Sequence, residues 1–213
     1  IMKNYLKTLL GALTITAFTV SSAYSGMGVS LMYGKVETDG TETERTVSGV
    51  TSEKTNASKS ENYFGGSIFA EGDLGPITLG VDFVPLGVKL GEGKRTDTTS
   101  DDNESTQEDG TVSAEATLEF LTTIYAHYPI GDWYAGLGYH MTEVKTDDNL
   151  HTSNYGDQDI NGIQYAIGKN SGNLRYELSY SDFEEISLTS SNGDKITANA
   201  DNLMFKLSYV FGN

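Results

Sequence analysis

The sequence contains no cysteine in its 213 residues, which excludes a disulfide framework, thiol chemistry and a lipid anchor on an N-terminal cysteine. Basic residues are also scarce, because 14 lysines and arginines face 30 aspartates and glutamates. The resulting formal charge of -16 excludes a nucleic-acid-binding protein, which needs a basic surface. One mostly apolar run, over residues 8–20, stands close to the N-terminus.

The N-terminal segment has the three-part layout of a secretory signal peptide. Lys3 and Lys7 precede the apolar run, and small residues allow cleavage near Ala23 or Ser25. A membrane anchor is disfavoured, since the run is shorter than the roughly 20 apolar residues that span a bilayer. The sequence therefore predicts a signal peptide over residues 1–23 and one mature domain over residues 24–213, with a formal charge of -18 once the two lysines are removed.

Large apolar side chains occupy every second position of the last segment, residues 205–211. Phe205, Leu207, Tyr209 and Phe211 share one face of a strand, and Lys206 is on the opposite face. Similar period-two alternation recurs in seven earlier segments, which indicates strands. The eight segments lie near residues 27–35, 63–71, 77–84, 112–128, 133–142, 162–168, 174–183 and 205–211.

The connections between these strands alternate in length. Short turns cover residues 72–76, 129–132 and 170–173, and long polar connections cover about 36–62, 85–111, 143–160 and 182–200. This rhythm predicts an all-β fold: an eight-stranded antiparallel up-and-down transmembrane β-barrel with four long extracellular loops and three short periplasmic turns. Both termini are then periplasmic, and the protein lies in the bacterial outer membrane. In the fourth loop, residues 191–194 read Ser-Asn-Gly-Asp, a type I′ hairpin signal that predicts a protruding hairpin.

The smaller face of the strands is too polar for the interior of a soluble barrel, which keeps apolar residues inside. A lumen of eight strands is just wide enough for side chains to fill, so its charges are expected to pair and plug it. A narrow, gated ion path is the functional alternative. The predicted polar network of the lumen consists of Glu71, Asp82, Glu119, His127, His140, Arg175, Glu177 and Lys206.

Three segments resemble strands of the small outer-membrane protein β-barrel family, which includes the membrane domain of outer-membrane protein A and the opacity-type porin-like proteins. They cover residues 133–139, 174–183 and 207–211. The resemblance implies a fold and a location more firmly than an activity. Expected partners are outer-membrane lipid, lipopolysaccharide and a possible surface partner of the loops. The protein is expected to be a monomer without a cofactor.

The sequence favours a non-enzymatic structural or surface-interaction protein, with porin-like transport as the alternative. One motif suggests catalysis: residues 151–154, His-Thr-Ser-Asn, resemble the His-x-Ser-Asn motif of outer-membrane lipid A 3-O-deacylases. There His151 would activate Ser153 as a nucleophile. The acidic residue that orients the histidine in that family is replaced by Tyr165 at about the expected spacing, which disfavours this alternative.

A second motif suggests a metal ion. Asp157, Asp159 and Asn161 copy the first half of a calcium loop. The twelfth position is Gly168, where a bidentate glutamate would be needed. The segment is therefore interpreted as the entry to a strand, and no metal site is predicted.

Overall fold

The computed structural model describes residues 24–45, 51–97, 110–149, 154–191 and 193–211. These ranges form ten strands. They are β1 (Tyr24–Arg45), β2 (Thr51–Leu74), β3 (Ile77–Phe83), β4 (Val88–Asp97), β5 (Gly110–Ile130), β6 (Trp133–Asp148), β7 (Gln158–Ser171), β8 (Leu174–Phe183), β9 (Ile186–Thr189) and β10 (Lys195–Phe211). Within these ranges, no helix has the length and hydropathy needed to cross a membrane.

Eight of the strands pair antiparallel in a ring. The order is β1-β2-β3-β5-β6-β7-β8-β10, and β10 pairs with β1 from Met27↔Phe211 upward. A row of paired residues that starts at Met27 passes through all eight strands and returns to β1 at Glu37, ten residues further along. With about 3.3 Å per residue and about 4.8 Å between strands, this stagger corresponds to a strand tilt of about 40°. The predicted eight-stranded up-and-down barrel is confirmed.

The outer surface changes polarity at one level around the barrel. We call the end where β1 begins and β10 ends the lower end of the barrel. Below the level of the change the outward residues are large and apolar, and above it they are polar or charged. The last apolar residues are Tyr33, Phe64, Met141, Ile163, Tyr180 and Leu203, on β1, β2, β6, β7, β8 and β10. The next outward residues on the same strands are Lys35, Asn62, Glu143, Asn161, Asp182 and Asp201.

The interior changes polarity in the opposite sense at about the same level. On β6 the buried residues pass from His140 and Thr142 to Val144, and on β10 they pass from Lys206 to Ala200 and Ala198. The lower part is therefore apolar outside and polar inside, which is the arrangement of a transmembrane barrel. The upper part, which we call the extension, is polar outside and apolar inside, as in a water-soluble sheet protein.

In the extension the ring divides into two sheets. Pairing between β2 and β3 ends at Ile68↔Phe83, and pairing between β7 and β8 ends at Gly162↔Phe183. Above these points β4 pairs with β5 and β9 pairs with β10. The sheets β9-β10-β1-β2 and β4-β5-β6-β7 enclose a shared apolar cluster. Its buried members are Met32, Val36, Val84, Val88, Leu90, Leu118, Leu121, Val144, Tyr155, Ile160, Phe183, Ile186, Leu188, Ala198, Ala200 and Met204.

Where the structure describes them, the four long connections predicted as polar loops are mostly paired strand. In the first of them, β1 and β2 remain in register from Lys35↔Asn62 to Glu44↔Glu53. The hairpin predicted in the fourth connection is present as β9 and β10, but its turn differs from the two-residue type I′ prediction. Ser190 N–H donates to the Asp194 carbonyl at 2.8 Å, and Gly193 has a φ of 95°. This is a three-residue hairpin loop with glycine at the left-handed position.

A β-bulge in β5 reverses two predicted side-chain directions. The register with β6 shifts between Glu119 and Thr122, and Phe120 has a φ of 56°, which is rare for a bulky residue. The extra residue moves the strand out of phase. As a result Leu118 is buried and Glu119 is not, whereas period-two alternation with Glu119 in the lumen predicts Leu118 on the outer face.

The β4–β5 hairpin carries an exposed charge network with a pH dependence. Lys89 contacts Glu92 at 2.6 Å and Glu115 at 3.0 Å, and Lys94 also contacts Glu92. Hydrogen bonds from Lys89 and Lys94 lower the pKa of Glu92 to about 2. A lowered carboxylate pKa stabilises the folded hairpin above the unfolded pKa of about 4.3, and this stabilisation is lost as the pH falls.

We therefore expect the protection factors of the amides in β4 and β5, which correct for the intrinsic pH dependence of exchange, to fall as the pH is lowered from about 4.3 to 2. The effect is expected to be small because the network is exposed. In Glu92→Gln this additional pH dependence should disappear. An unchanged pH profile in that variant would show that Glu92 does not stabilise the hairpin.

Candidate functional site

The polar interior of the lower barrel is the candidate site, and its first unit is a buried ion pair between β8 and β2. The Arg175 guanidinium donates to both Glu71 carboxylate oxygens, at 2.8 and 2.6 Å. Arg175 Nε also donates to Asn170 Oδ1 at 3.1 Å. Tyr125 O–H donates to Glu71 Oε2 at 2.7 Å. Arg175 and Glu71 therefore form a bidentate ion pair, and each charge also has an additional hydrogen bond. A buried ion pair requires this geometry.

The second unit links β8, β10 and β3. Glu177 is only 2% exposed, and its Oε1 lies 3.1 Å from Lys206 Nζ. Lys206 Nζ also donates to Asp82 Oδ2 at 3.2 Å, and Ser67 Oγ donates to the same oxygen at 3.0 Å. Lys206 thus bridges two carboxylates, which binds three strands together across the lumen.

A stack of three rings connects the two units. His127 lies between Tyr125 and Tyr134, with ring centroids 4.5 and 4.1 Å apart. Tyr134 O–H donates to Glu177 Oε2 at 2.6 Å, and His127 Nε2 lies 3.5 Å from the same oxygen. Each tyrosine faces a cross-strand glycine: a Cβ on Gly80 would lie 2.2 Å from the Tyr125 ring, and a Cβ on Gly168 would lie 2.2 Å from the Tyr134 ring. Glycine at these two positions makes room for the stack.

The top layer of the polar interior is centred on His140. Its Nδ1 lies 2.7 Å from Thr123 Oγ1 and its Nε2 lies 2.9 Å from Ser181 Oγ. Beside it is a cavity of about 10 Å³, whose lining includes Asp82, Lys206 and Met204. That volume holds about one water molecule and is too small for a hydrated ion.

The apolar cluster of the extension closes the interior above this layer. Residues 154–157, which precede β7, connect the two sheets at the upper end of the extension. Tyr155 is buried in the cluster, and its O–H donates to Glu42 Oε1 at 3.0 Å. Asp148 accepts the Tyr155 N–H at 2.8 Å and the Asn154 side-chain amide at 3.2 Å. These contacts join β6 and the segment before β7 to β1 on the opposite sheet.

Seven of the eight residues predicted for the lumen lie buried in this interior; ion pairs or hydrogen bonds hold six of them, and ring stacking holds His127. They are Glu71, Asp82, His127, His140, Arg175, Glu177 and Lys206. The eighth, Glu119, is displaced by the β5 bulge and contacts Lys145 at 3.5 Å on the surface. Tyr125 and Tyr134 also belong to the network, although they were not among the residues predicted for it. The signal that could have found them is an aromatic residue on the polar face, opposite a glycine of the neighbouring strand.

The fold around this site is an eight-stranded β-barrel. No protein-family model and no curated protein matches the chain. Among solved structures it is similar to neisserial surface protein A (10% identity, 88% of this chain and 100% of that chain, TM-score 0.42). It is also similar to the outer membrane protein OprG from Pseudomonas aeruginosa (10% identity, 88% and 98%, TM-score 0.48) and to Ail, the attachment invasion locus protein of Yersinia pestis (11% identity, 85% and 98%, TM-score 0.33).

Several predictions fall on residues that the structure does not describe. They are the signal peptide over residues 1–23 and the candidate catalytic residues His151 and Ser153. Of the half calcium motif, Asp159 and Asn161 lie in β7. Within the described ranges, no group of three or more acidic, histidine or cysteine side chains is placed to hold a metal ion.

Proposed function

We propose that this protein is a non-enzymatic bacterial outer-membrane barrel with a plugged lumen, and that its extension is a folded surface structure with a structural or interaction role. The observation that carries this proposal is the opposite change of polarity on the two faces of the same strands. An apolar outer surface is stable in lipid, and a polar outer surface over an apolar core is stable in water.

The height of the apolar band supports the membrane assignment. On β10 the outward apolar residues run from Leu203 to Phe211, and all except Leu207 are exposed. This stretch is about 26 Å long at about 3.3 Å per residue, or about 20 Å along the barrel axis after a tilt of about 40°. Outer-membrane barrels have an apolar band about 25 Å tall, with aromatic residues at its edges. Trp133, Tyr128 and Phe211 lie near one edge, and Tyr33, Phe64 and Tyr180 near the other.

The proposed orientation follows from the lengths of the connections. Short turns join the strands at the end where β1 begins and β10 ends, and the extension stands at the other end. Outer-membrane barrels place short turns in the periplasm and long connections outside the cell. The termini of the barrel domain are then periplasmic, and the extension faces outward, where a surface partner would contact it.

The filled interior predicts that the protein does not conduct. The ion pairs occupy the lower lumen, the 10 Å³ cavity is too small for a hydrated ion, and the apolar cluster closes the upper end. We expect planar-bilayer recordings of the purified protein to show no stable conductance steps. Reproducible steps would instead favour the porin-like alternative, in which the ion pairs open.

Lipid A deacylation is disfavoured by the position of the described residues next to His151 and Ser153. Asn149, which precedes the motif, and Asn154, its last residue, lie at the end of β6, where Asn154 contacts Asp148. Asp148 is seven residues beyond Met141, or about 23 Å along the strand from the edge of the apolar band. Ester bonds of lipid A would lie at that edge. Mass spectra of lipid A should therefore be the same with and without expression of the protein.

A further inference from the structure

The outward-facing basic residues are distributed unevenly between the two ends of the barrel. Among the described residues, the exposed or half-buried lysines outside the lumen lie in the extension or at its base, with one exception. That exception is Lys169, which lies near the end of β7 at the short-turn end and, like Ile167 and Tyr165, faces outward. Lys169 is therefore the one described outward cation at this rim.

Lys169 also differs from the lysines at the opposite edge of the apolar band in having no described acidic partner. Lys35 contacts Glu37, and Lys145 contacts Glu119 at 3.5 Å. No described carboxylate lies within 4.0 Å of Lys169 Nζ. Its charge is available to a partner outside the chain.

Two aromatic rings frame this lysine. Lys169 pairs with Trp133 of β6 on one side and with Tyr176 of β8 on the other, so the three side chains form one outward row. The amine lies 5.7 Å from the centroid of the Trp133 ring. Trp133 is 51% exposed and Tyr176 is 39% exposed. Tryptophan and tyrosine favour the boundary between lipid tails and headgroups, so the row places the amine at the depth of lipid phosphates.

We infer that Lys169, framed by Trp133 and Tyr176, binds the phosphate of an anionic phospholipid at the short-turn rim of the barrel. This inference rests on the proposed function, since it requires the apolar band to face lipid. The amine supplies the charge, and the two rings contact the upper part of the acyl chains. Among the described residues, the opposite rim has no equivalent site, because Lys35 and Lys145 are each neutralised by a glutamate.

The single tryptophan of the chain makes the inference testable, because Trp133 reports on the lipid beside it. The protein is reconstituted in vesicles of phosphatidylcholine and phosphatidylglycerol, with bromine on the acyl chains of one lipid at a time. At equal mole fraction, phosphatidylglycerol should be enriched about fivefold over phosphatidylcholine beside Trp133, and its brominated form should therefore quench the Trp133 fluorescence more strongly. A fivefold enrichment corresponds to about 1 kcal/mol, the attraction of one basic residue to an anionic membrane.

Lys169→Gln should remove this preference, and Lys169→Arg should keep it. Lys35→Gln, at the opposite rim, serves as the matched control and should also keep it. The inference is overturned if the wild-type protein shows no preference, or if Lys169→Gln retains it. Absence of quenching by either brominated lipid would contradict the membrane placement itself, so the two failures are distinguishable.

Discussion

Replacing Arg175 by methionine is expected to lower the free energy of unfolding by about 3–5 kcal/mol, because it leaves the buried Glu71 carboxylate without its counter-charge. Glu71 would keep one hydrogen bond, from Tyr125. Removal of one partner from a buried pair is costly since the remaining charge has neither water nor a cation. Urea unfolding of the reconstituted protein, followed by Trp133 fluorescence, measures this change.

The matched control removes both charges. In Arg175→Met with Glu71→Gln, the amide oxygen still accepts a hydrogen bond from Tyr125 and no buried charge is left unpaired. This double variant should regain most of the lost stability, as replacement of a whole buried pair is often nearly neutral. A single variant as stable as the wild type would show that the lumen is wet enough to solvate Glu71, contrary to a plugged interior.

Replacing Val144 by aspartate is expected to unfold the extension and to leave the barrel below it intact. Val144 is 0% exposed and lies within the apolar cluster. An aspartate there must bind a proton to stay buried, which costs about 4 kcal/mol at pH 7 from a normal pKa of about 3.9. The extension can open locally because its core contains none of the lumen ion pairs and adjoins them only at the small cavity beside His140. Rapid amide exchange in β4, in β9 and in the part of β1 beyond Tyr33, with slow exchange lower in β1 and unchanged Trp133 fluorescence, is the expected result.

The neighbouring residue provides the control for this substitution. Lys145 points to the opposite face, and its side chain is 53% exposed beside Glu119. Lys145→Asp introduces the same carboxylate one residue away and should change stability by less than about 1 kcal/mol, since an exposed ion pair contributes little. Equal effects of the two substitutions would contradict an apolar core in the extension.

The sequence was sufficient to predict the lower barrel because each strand there obeys one simple rule. Large residues such as Leu137 and Tyr139 alternate with small or polar ones such as Gly138 and His140, so the side-chain faces follow from period two alone. The charges of the lumen network could be predicted for the same reason. Their partners could not, since the contact of Arg175 with Glu71 depends on strand register across the lumen.

The sequence did not predict the two-sheet core of the extension, because its apolar residues are isolated and lie on the opposite strand face from the apolar residues of the lower barrel. Val36 and Val144 each stand among polar residues, on the face that includes small or polar residues such as Ser30 and His140 lower in the same strands. A local pattern assigns such a stretch to a polar loop, whereas the paired sheets show that these residues meet in one cluster. The misplacement of Glu119 has a different cause, since nothing in the local sequence indicates the bulge at Phe120.

Cysteine scanning along β1 tests the polarity change most directly, and the absence of native cysteine makes every introduced thiol unique. Spin labels at the outward positions 29, 31, 33, 35, 37 and 39 would be compared for accessibility to oxygen, which partitions into lipid, and to a water-soluble nickel complex. Labels at positions 29–33 should be accessible mainly to oxygen, and labels at positions 35–39 mainly to nickel. A uniform accessibility to nickel along the strand, or a change at another level, would contradict a lipid-facing barrel that carries a water-exposed extension.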